Sequence, residues 1–312
     1  MKNMIKLSKT KYLSFNASLN KRMIFRLGYD AGFYSEFNGM VLAVVYCIKN
    51  NIRFEMNSSY SNFKIQKGWD DYFEPFFKEN NLFLNKYINY RPYNISAKNI
   101  KLEKRLKKIF NIDLFTQDIW NDIRSTKFWN SQIVNKDLGI NETLLQTGEW
   151  ITSLCYNFKP KVQESICKVK NDLCLPEEYI GIHIRRGDKI KETQFINIES
   201  YFELATRLTH IRSVFISTDD YRTILEIKNK YQEWRIFYDI DVNASGYDQN
   251  VFSRKLKRQK FKDLIYLFSN VETLSESKIF IGTISTNIGM FVGMRRGNEK
   301  CYYLDSDSWR VI

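Results

Sequence analysis

The stretch Gly181-Ile-His-Ile-Arg-Arg-Gly-Asp-Lys189 decides how this chain is interpreted. Ile180, Ile182 and Ile184 alternate with other residues, which is the period of a strand. The strand ends in a dense group of polar side chains: His183, Arg185, Arg186, Asp188 and Lys189. Neighbouring residues of a strand point to opposite faces, so one guanidinium can face a ligand while the other braces the scaffold. Because the rigid fork of arginine suits phosphate oxygens, this stretch predicts an anion site at the carboxyl end of a strand.

Strand and helix patterns alternate outward from this stretch through the second half of the chain. Strands are predicted at Ser213–Ser217, Arg235–Tyr238, Lys278–Gly282 and Cys301–Leu304. Helices are predicted at Pro160–Asp172, Ile198–Thr209, Tyr221–Tyr231, Lys260–Ser269 and Asn287–Arg295. Short connections between alternating strands and helices are typical of a doubly wound α/β domain.

The first half opens with a second α/β pattern. A strand at Ile24–Leu27, a helix at Phe37–Lys49 and a strand at Arg53–Met56 form a βαβ unit, which implies a parallel sheet. From about Pro92 to Glu149 the pattern is polar and helical. We therefore predict an α/β protein with an N-terminal domain at 1–155 and a C-terminal domain at 156–312.

Composition favours a folded protein with anionic partners. The 312 residues are 44% apolar and 15% aromatic, which is enough for real cores. Lys and Arg outnumber Asp and Glu by 48 to 35, a net charge of +13 that suits a nucleotide-sugar, a nucleic acid or an acidic membrane surface. Scattered basic runs, at 101–108 and 254–262, are interpreted mainly as solvated faces.

Cysteine and apolar patterns bear on the compartment. The five cysteines show no CxxC pair, and two histidines are too few for a standard zinc motif, so reduced thiols are expected. The N-terminus lacks the apolar segment of a signal peptide, and the longest apolar run, Met40–Ile48, is about half a membrane span. We expect a soluble, cytoplasmic protein that can contact an anionic membrane peripherally.

Three motifs in order resemble those of the α-1,6-fucosyltransferase superfamily, which includes the core and the nodulation-factor fucosyltransferases. The segment 181–190 resembles its first motif, Val214-Phe-Ile-Ser-Thr-Asp-Asp220 its second and Ile279-Phe-Ile-Gly-Thr-Ile-Ser-Thr-Asn287 its third. The resemblance covers about residues 150–312 and is looser over Gly32–Asn38. It implies a GT-B fold of two Rossmann-like domains facing a cleft, the C-terminal one binding the donor and the N-terminal one on the acceptor side. It also implies inverting transfer of fucose from GDP-fucose to a glycan hydroxyl, with no cofactor and no metal.

Within the first motif, the resemblance places Arg185 on the diphosphate, where a fixed guanidinium stabilises the leaving group. Arg186 is better assigned to bracing the motif. Asp188 either pairs with an arginine inside the site or takes part directly in catalysis. His183 either bonds the nucleotide or is a satisfied core histidine.

An inverting displacement needs a base near the acceptor hydroxyl. The family's glutamate falls on Glu192 if one gap is allowed, with Lys189 as its partner, and a solvated loop carboxylate is the alternative. Asp219 and Asp220 end a strand, where they can order the site or cap the next helix. We expect a mixture of both roles.

The third motif implies a donor site at Thr283, Ser285, Thr286 and Asn287, where hydroxyls and N–H groups at a helix start suit a diphosphate. The family's guanine-reading aspartate falls on Asn270, with Glu272 nearby. An amide oxygen cannot pair with both guanine N–H donors as a carboxylate does. The donor base, and with it the nucleotide-sugar, therefore stays open.

Other readings remain. The DxD patterns Asp239-Ile-Asp241 and Asp305-Ser-Asp307 would suit a metal-dependent transferase of another fold, and basic, aromatic surfaces can bind nucleic acid. No RNP, KH or helix-turn-helix signature supports the second of these. We therefore expect a nucleotide-sugar donor, a glycan or lipid-linked glycan acceptor, no metal and no nucleic acid.

Overall fold

The computed structural model describes residues 8–92, 97–187 and 196–311. The chain divides into two compact units, Met1–Phe158 and Lys159–Ile312. Sequence patterns had placed the division after residue 155.

The N-terminal unit is built around a parallel sheet. Its elements are α1 (Lys9–Ser18), β1 (Arg22–Arg26), α2 (Phe33–Lys49), β2 (Arg53–Asn57), a 3-10 helix (Trp69–Asp71), α3 (Asn85–Ile88), α4 (Ala97–Phe110), β3 (Leu114–Phe115), α5 (Thr116–Ile123), α6 (Thr126–Trp129), β4 (Ile133–Asn135), β5 (Ile140–Glu142) and α7 (Leu144–Cys155). Strands β2, β1 and β3 lie side by side in that order and run parallel, while β4 and β5 form an antiparallel hairpin. The βαβ opening is therefore present.

Helix α2 is buried on all sides, as expected for a helix that is apolar around its circumference. It begins at Phe33, one turn before the predicted start at Phe37. Glu36 can be buried in this first turn because its carboxylate has partners. The carboxylate of Glu36 accepts the N–H of Gly28 at 3.0 Å and pairs with the buried guanidinium of Arg91. A carboxylate in the first turn also suits the positive end of the helix dipole.

The C-terminal unit alternates helices and strands. Its elements are α8 (Pro160–Asp172), β6 (Ile180–Ile184), α9 (Ile198–Leu208), β7 (Ser213–Thr218), α10 (Tyr221–Lys230), β8 (Arg235–Tyr238), α11 (Gln249–Arg254), α12 (Lys257–Glu276), β9 (Ile279–Gly282), α13 (Asn287–Arg295) and β10 (Cys301–Tyr303). The described strands form one parallel sheet in the order β10-β9-β6-β7-β8. With β6 counted as the first strand, this is the order 3-2-1-4-5 of the first five strands of a Rossmann fold.

The apolar residues of the central strands make the core of this unit. All five residues of β6 are buried, and they pack with β7, β9 and the helices α9 and α10. Phe202 of α9 stacks on Tyr231 with 3.8 Å between ring centroids. Isoleucine and valine predominate in these strands because β-branched side chains fit a sheet that is covered on its faces.

Some elements differ from the sequence-based prediction. Helix α12 is longer at both ends than the predicted Lys260–Ser269, because Val271 and Leu274 continue its buried stripe and Gln259 bonds the N–H of Leu256. The helices α1 and α11 and the hairpin β4–β5 were not predicted. The hairpin strands have three residues each, too few to show a period.

Over the described ranges, no helix combines the length and apolar character that crossing a membrane requires. All five cysteines are free thiols, with Cys47 and Cys155 buried.

Candidate active site

The sheet order of the C-terminal unit creates a crevice between β6 and β9. The chain leaves β6 toward β7 on one side and leaves β9 toward β10 on the other, so the two connections diverge. Open α/β sheets bind ligands at the carboxyl ends of strands at such a point. The first and third sequence motifs follow these two strands, so the fold brings their polar residues to one place.

His183 lies near the end of β6 and is 3% exposed. Burial, and then the nearby charge of Arg185, lower the pKa of its imidazole to about 4. The Nδ1 atom is 3.4 Å from the hydroxyl of Thr286, whose proton goes to the carbonyl of Thr283 at 2.9 Å. The hydrogen-bond network therefore assigns the proton to Nδ1, which leaves Nε2 of a neutral ring as an acceptor.

Asp219 follows β7 and organises the turn after β6. Its carboxylate accepts the backbone N–H of Arg186 at 2.7 Å, of Gly187 at 3.0 Å and of Tyr247 at 3.2 Å. Its Oδ2 atom also lies 3.2 Å from Nε of Arg185. Three segments distant in sequence are thus joined by one carboxylate, which we call the Asp219 junction.

The Asp219 junction leaves no room for a side chain at position 187. A Cβ on Gly187 would lie 2.5 Å from Oδ2 of Asp219 and 2.7 Å from the backbone nitrogen of Tyr247. Gly246, with φ of +114°, adopts a backbone conformation that other residues rarely take. These glycines explain why the turn after β6 and the loop after β8 can approach so closely.

The two arginines of the first motif have different surroundings. Arg185 is held through Nε by Asp219, its guanidinium lies over the ring of Tyr247 at 5.2 Å, and its side chain is 23% exposed. Arg186 donates from Nη1 to the carbonyl of Ile196 at 3.1 Å, just before α9. Arg185 therefore lies at the surface of the crevice, and Arg186 tethers the segment that enters α9.

The turn between β9 and α13 is fixed by Thr286 and Asp305. Thr286 caps α13, since its hydroxyl accepts the N–H of Gly289 at 3.0 Å. A Cβ on Gly289 would lie 2.0 Å from the carbonyl oxygen of Thr283, so only glycine fits there. Asp305 accepts the N–H groups of Ile284 at 2.7 Å and Ser285 at 3.0 Å. The start of α13, with Ser285 and Asn287 beside the cap, is thus pre-formed.

Asp220 and Asp219 divide the roles predicted for the pair. Asp220 caps α10 by accepting the N–H of Arg222 at 2.9 Å, and it forms an ion pair with the guanidinium of the same residue. These partners lower the pKa of its carboxyl. Of the two roles predicted for Asp219 and Asp220, Asp220 therefore caps the helix and Asp219 orders the site.

Asn270 and Glu272 lie on α12. Nδ2 of Asn270 donates to the carbonyl of Asp239 at 3.2 Å, and its buried Oδ1 has no hydrogen-bond partner among the described residues. Glu272 pairs with Arg295 of α13 at 2.8 Å, while burial raises the pKa of its carboxyl. Glu272 thus joins α12 to α13 through Oε2, and both Oε1 of Glu272 and Oδ1 of Asn270 are buried acceptors without a hydrogen-bond partner among the described residues.

Two of the acidic residues of the DxD patterns, Asp241 and Asp305, accept local hydrogen bonds. Both oxygens of Asp305 bond backbone N–H groups, and Asp241 accepts the N–H of Asn243 at 2.8 Å. Where the structure describes the chain, no group of three or more His, Cys, Asp or Glu side chains is placed to hold a metal ion.

Three predicted site residues, Asp188, Lys189 and Glu192, lie outside the described residues. The structure also adds two site residues that the sequence analysis did not identify. These are Tyr247, and Asp305 in its role at the β9–α13 turn. The signal for Tyr247 was its position after Gly246 in a loop following a strand, but its partner is 28 residues away. For Asp305 the signal was a carboxylate just after β10, at the same edge of the sheet.

Comparisons with known proteins bear on the family and on the fold. A family model of the α-(1,6)-fucosyltransferase N- and catalytic domains matches residues 146–289. The fold is similar to that of fucosyltransferase NodZ from Bradyrhizobium, at 12% identity and a TM-score of 0.54, over 89% of this chain and 93% of that one. A structure of NodZ α-1,6-fucosyltransferase soaked with GDP-fucose matches at 11% identity and a TM-score of 0.54, over 88% and 92%. POFUT1 in complex with GDP-fucose matches at 8% identity and a TM-score of 0.52, over 92% and 98%.

At these identities the structural similarity shows the fold, which is GT-B. The family match spans all three motifs, from before β6 into the start of α13. Over residues 146–289 this chain is therefore similar to the α-(1,6)-fucosyltransferase N- and catalytic domains, and its fold is that of the GT-B fucosyltransferases NodZ and POFUT1.

Proposed function

We propose that the protein is an inverting fucosyltransferase that transfers fucose from GDP-fucose to a glycan hydroxyl without a metal ion. One observation carries the proposal: Arg185, fixed by Asp219, and the pre-formed start of α13 lie at the carboxyl ends of the adjacent strands β6 and β9. The NodZ structure soaked with GDP-fucose and the POFUT1 complex with GDP-fucose support this choice of donor.

In the proposed reaction, an acceptor oxygen forms a bond to C1 of fucose while the bond from C1 to the β-phosphate oxygen breaks. The electron pair leaves with GDP, so negative charge develops on the β-phosphate. Arg185 and the N–H groups at the start of α13 are the positive partners for this charge. Because these groups belong to the chain itself, we propose that transfer needs no metal.

His183 is proposed to bind the nucleotide as a neutral acceptor. Its lowered pKa keeps the ring uncharged at neutral pH, and Nε2 is the nitrogen left to accept. A neutral acceptor suits a hydroxyl or N–H donor of the nucleoside rather than the phosphates. His183 thus contributes to recognition, and the diphosphate charge is left to Arg185.

The base is proposed to be Glu192, which would take the proton of the attacking hydroxyl as the new bond forms. Lys189 is its proposed partner, and Asp188 either pairs with an arginine of the site or acts directly. We assign the acceptor, a glycan or lipid-linked glycan, to the N-terminal unit. The free thiols support a reducing compartment, and we propose a cytoplasmic location with peripheral contact at an anionic membrane.

A second candidate donor is favoured by Asn270. Its amide nitrogen donates to the carbonyl of Asp239, so only the amide oxygen is left for a nucleotide base. A single amide oxygen cannot pair with both guanine N–H donors as a carboxylate does. A nucleotide-sugar with a different base is therefore the alternative donor for the same fold and diphosphate site.

A ligand screen tests the proposal. Thermal unfolding and calorimetry would compare GDP, UDP, ADP and their sugars on the full chain. A ligand present at 100 times its Kd stabilises the folded state by about 2.7 kcal/mol, which is readily measured. We expect GDP and GDP-fucose to stabilise the wild type and to do so far less for Arg185→Ala. Preference for another nucleotide would select the second candidate, and stabilisation by none of them would contradict both.

A further inference from the structure

The outer side of α4 in the N-terminal unit exposes large apolar side chains beside basic ones. We use the name basic-apolar face for the outer side of α4, defined by Leu102, Ile109, Lys101, Arg105 and Lys108; Tyr87 of α3 and Phe83, just before α3, are further exposed apolar residues of the same unit. Ile109 and Phe83 are each 63% exposed, Tyr87 54% and Leu102 44%. Single exposed apolar residues are ordinary, but exposed apolar residues that share one stripe of a helix beside a basic stripe mark an interaction surface.

These apolar residues are not needed to hold α4 in place, because its other side does so. Leu106 is buried in a cluster with Ile88, Ile112 and Phe115. Glu103, also on the inner side, accepts the hydroxyl of Tyr90 at 3.1 Å and pairs with Lys107 at 2.8 Å. The outer residues are therefore exposed on a helix whose core contacts are already made.

The outer residues of α4 follow two parallel stripes. Leu102 and Ile109 are seven positions apart and share one stripe. Lys101, Arg105 and Lys108, at spacings of four and three, share the stripe beside it. A helix of 14 residues with an apolar stripe beside a basic one has the pattern of helices that lie in the plane of a membrane interface.

We propose that the basic-apolar face docks on an anionic lipid bilayer. Leu102 and Ile109 enter the boundary between headgroups and acyl chains, and Lys101, Arg105 and Lys108 contact the anionic headgroups. Long basic side chains can reach the headgroups while their methylene stems lie along apolar surface. A nucleic acid would match the charges but would leave the apolar stripe in water, so a bilayer satisfies both halves of the pattern. Docking of this kind is independent of which nucleotide-sugar the enzyme uses.

Vesicle sedimentation with the full chain tests the docking. The vesicles are phosphatidylcholine alone or phosphatidylcholine mixed with phosphatidylglycerol. We expect the wild type to sediment with the mixed vesicles and not with phosphatidylcholine alone. The variant Lys101→Gln/Lys108→Gln should bind about fivefold more weakly for each charge removed. The variant Leu102→Ser/Ile109→Ser should bind more weakly by about tenfold or more.

Two control variants make the test specific. Val134→Ser removes an apolar side chain that is 48% exposed on β4 of the same unit, and it should bind like the wild type. Leu256→Ser changes a side chain that is 72% exposed within the other basic run, at 254–262. Loss of binding in Leu256→Ser together with full binding in Leu102→Ser/Ile109→Ser would overturn the assignment of the surface.

Failure of the wild type to bind the mixed vesicles would overturn the proposal itself. Binding that fell with the charge variant but not with the apolar variant would also contradict it, since insertion would then be absent. The melting temperature of each variant checks its folding. Because the substituted side chains are exposed, we expect no change, and the single variant Ile109→Ser replaces the double one if that unfolds.

Discussion

The carboxylate of Asp219 lies 3.2 Å from Nε of Arg185, the guanidinium proposed to meet the donor diphosphate. The same carboxylate accepts three backbone N–H groups, so the position of Arg185 is set together with that of the turn around Gly187. Asp219 acts on the site through these neighbours, which makes it a positioning residue.

Substitution of Asp219 should therefore change turnover more than donor binding. In Asp219→Asn the amide can accept some of the N–H bonds, but it loses the charge that holds Arg185. We expect kcat to fall by about 10- to 100-fold with a smaller change in KM for the donor. Steady-state kinetics with GDP-fucose would measure both constants.

Asp220→Asn is the matched control for that variant. Asparagine caps helices about as well as aspartate, and Arg222, its ion-pair partner, is largely exposed. We expect near-normal kcat and a change in the free energy of unfolding below about 1 kcal/mol. Equal losses of turnover in the two variants would show that Asp219 has no special place in the site.

Arg185→Ala should nearly abolish transfer while the fold persists. Loss of a fixed positive partner for the leaving group costs about 10²- to 10³-fold in kcat. The side chain is partly exposed, so its truncation leaves no large cavity. Transfer assays together with melting temperatures would check this, and near-normal turnover in a folded variant would remove Arg185 from the diphosphate.

The stability of the protein should depend on pH through His183. Its folded pKa of about 4 lies below the ordinary value of 6.5, so the unfolded chain takes up a proton that the folded protein does not. The contribution to stability is present above pH 6.5 and is lost as pH falls toward 4. The shift corresponds to a change on the order of 3 kcal/mol in the free energy of unfolding.

Urea unfolding at neutral and mildly acidic pH would measure this contribution. We expect His183→Gln to show a smaller loss of stability on acidification than the wild type. His210→Gln replaces the other histidine, which is exposed, and should follow the wild-type curve. Parallel curves for all three proteins would exclude His183 as a source of the pH dependence.

Gly187→Ala should disrupt the Asp219 junction. The added Cβ would lie 2.5 Å from Oδ2 of Asp219, so the carboxylate or the turn must shift. We expect transfer to fall sharply, with a smaller loss of stability. Gly39→Ala is the control: its Cβ would meet side chains no closer than 3.8 Å within α2. Alanine there should stabilise the protein by about 0.5–1 kcal/mol, measured by urea unfolding.

Removal of divalent cations should leave transfer unchanged. Arg185 and the start of α13 are proposed to meet the charge that a metal would otherwise neutralise. Transfer assays with and without EDTA, on dialysed enzyme, would check this. Loss of activity with EDTA and recovery with added Mg²⁺ or Mn²⁺ would contradict metal-independent transfer.

The C-terminal sheet could be predicted because each strand is a short apolar run bounded by polar residues. β6 and β9 carry both signals, and the order of the motifs placed them at one edge. The N-terminal unit was harder to predict, since β3 has two residues and β4 and β5 have three each. Strands this short are decided by their neighbours in the fold rather than by their own period.

Within the site, residue types could be predicted but not their partners. The sequence put Asp219 and Asp220 at a strand end, yet both roles, cap and organiser, suit an aspartate there. Which aspartate organises the site depends on the backbone N–H groups of Gly187 and Tyr247. These residues are 32 and 28 positions from Asp219 in the sequence, and the fold brings them to its carboxylate. Contacts between side chains and a distant backbone leave no pattern in the local sequence.

The Asp219 junction also bears on how the chain tolerates mutation. Three of its four contacts are made by backbone N–H groups, which every residue except proline provides. Residues 186 and 247 can therefore change type without losing these bonds. Sensitivity to substitution is therefore concentrated on Asp219 and on the two glycines of the junction, Gly187 and Gly246.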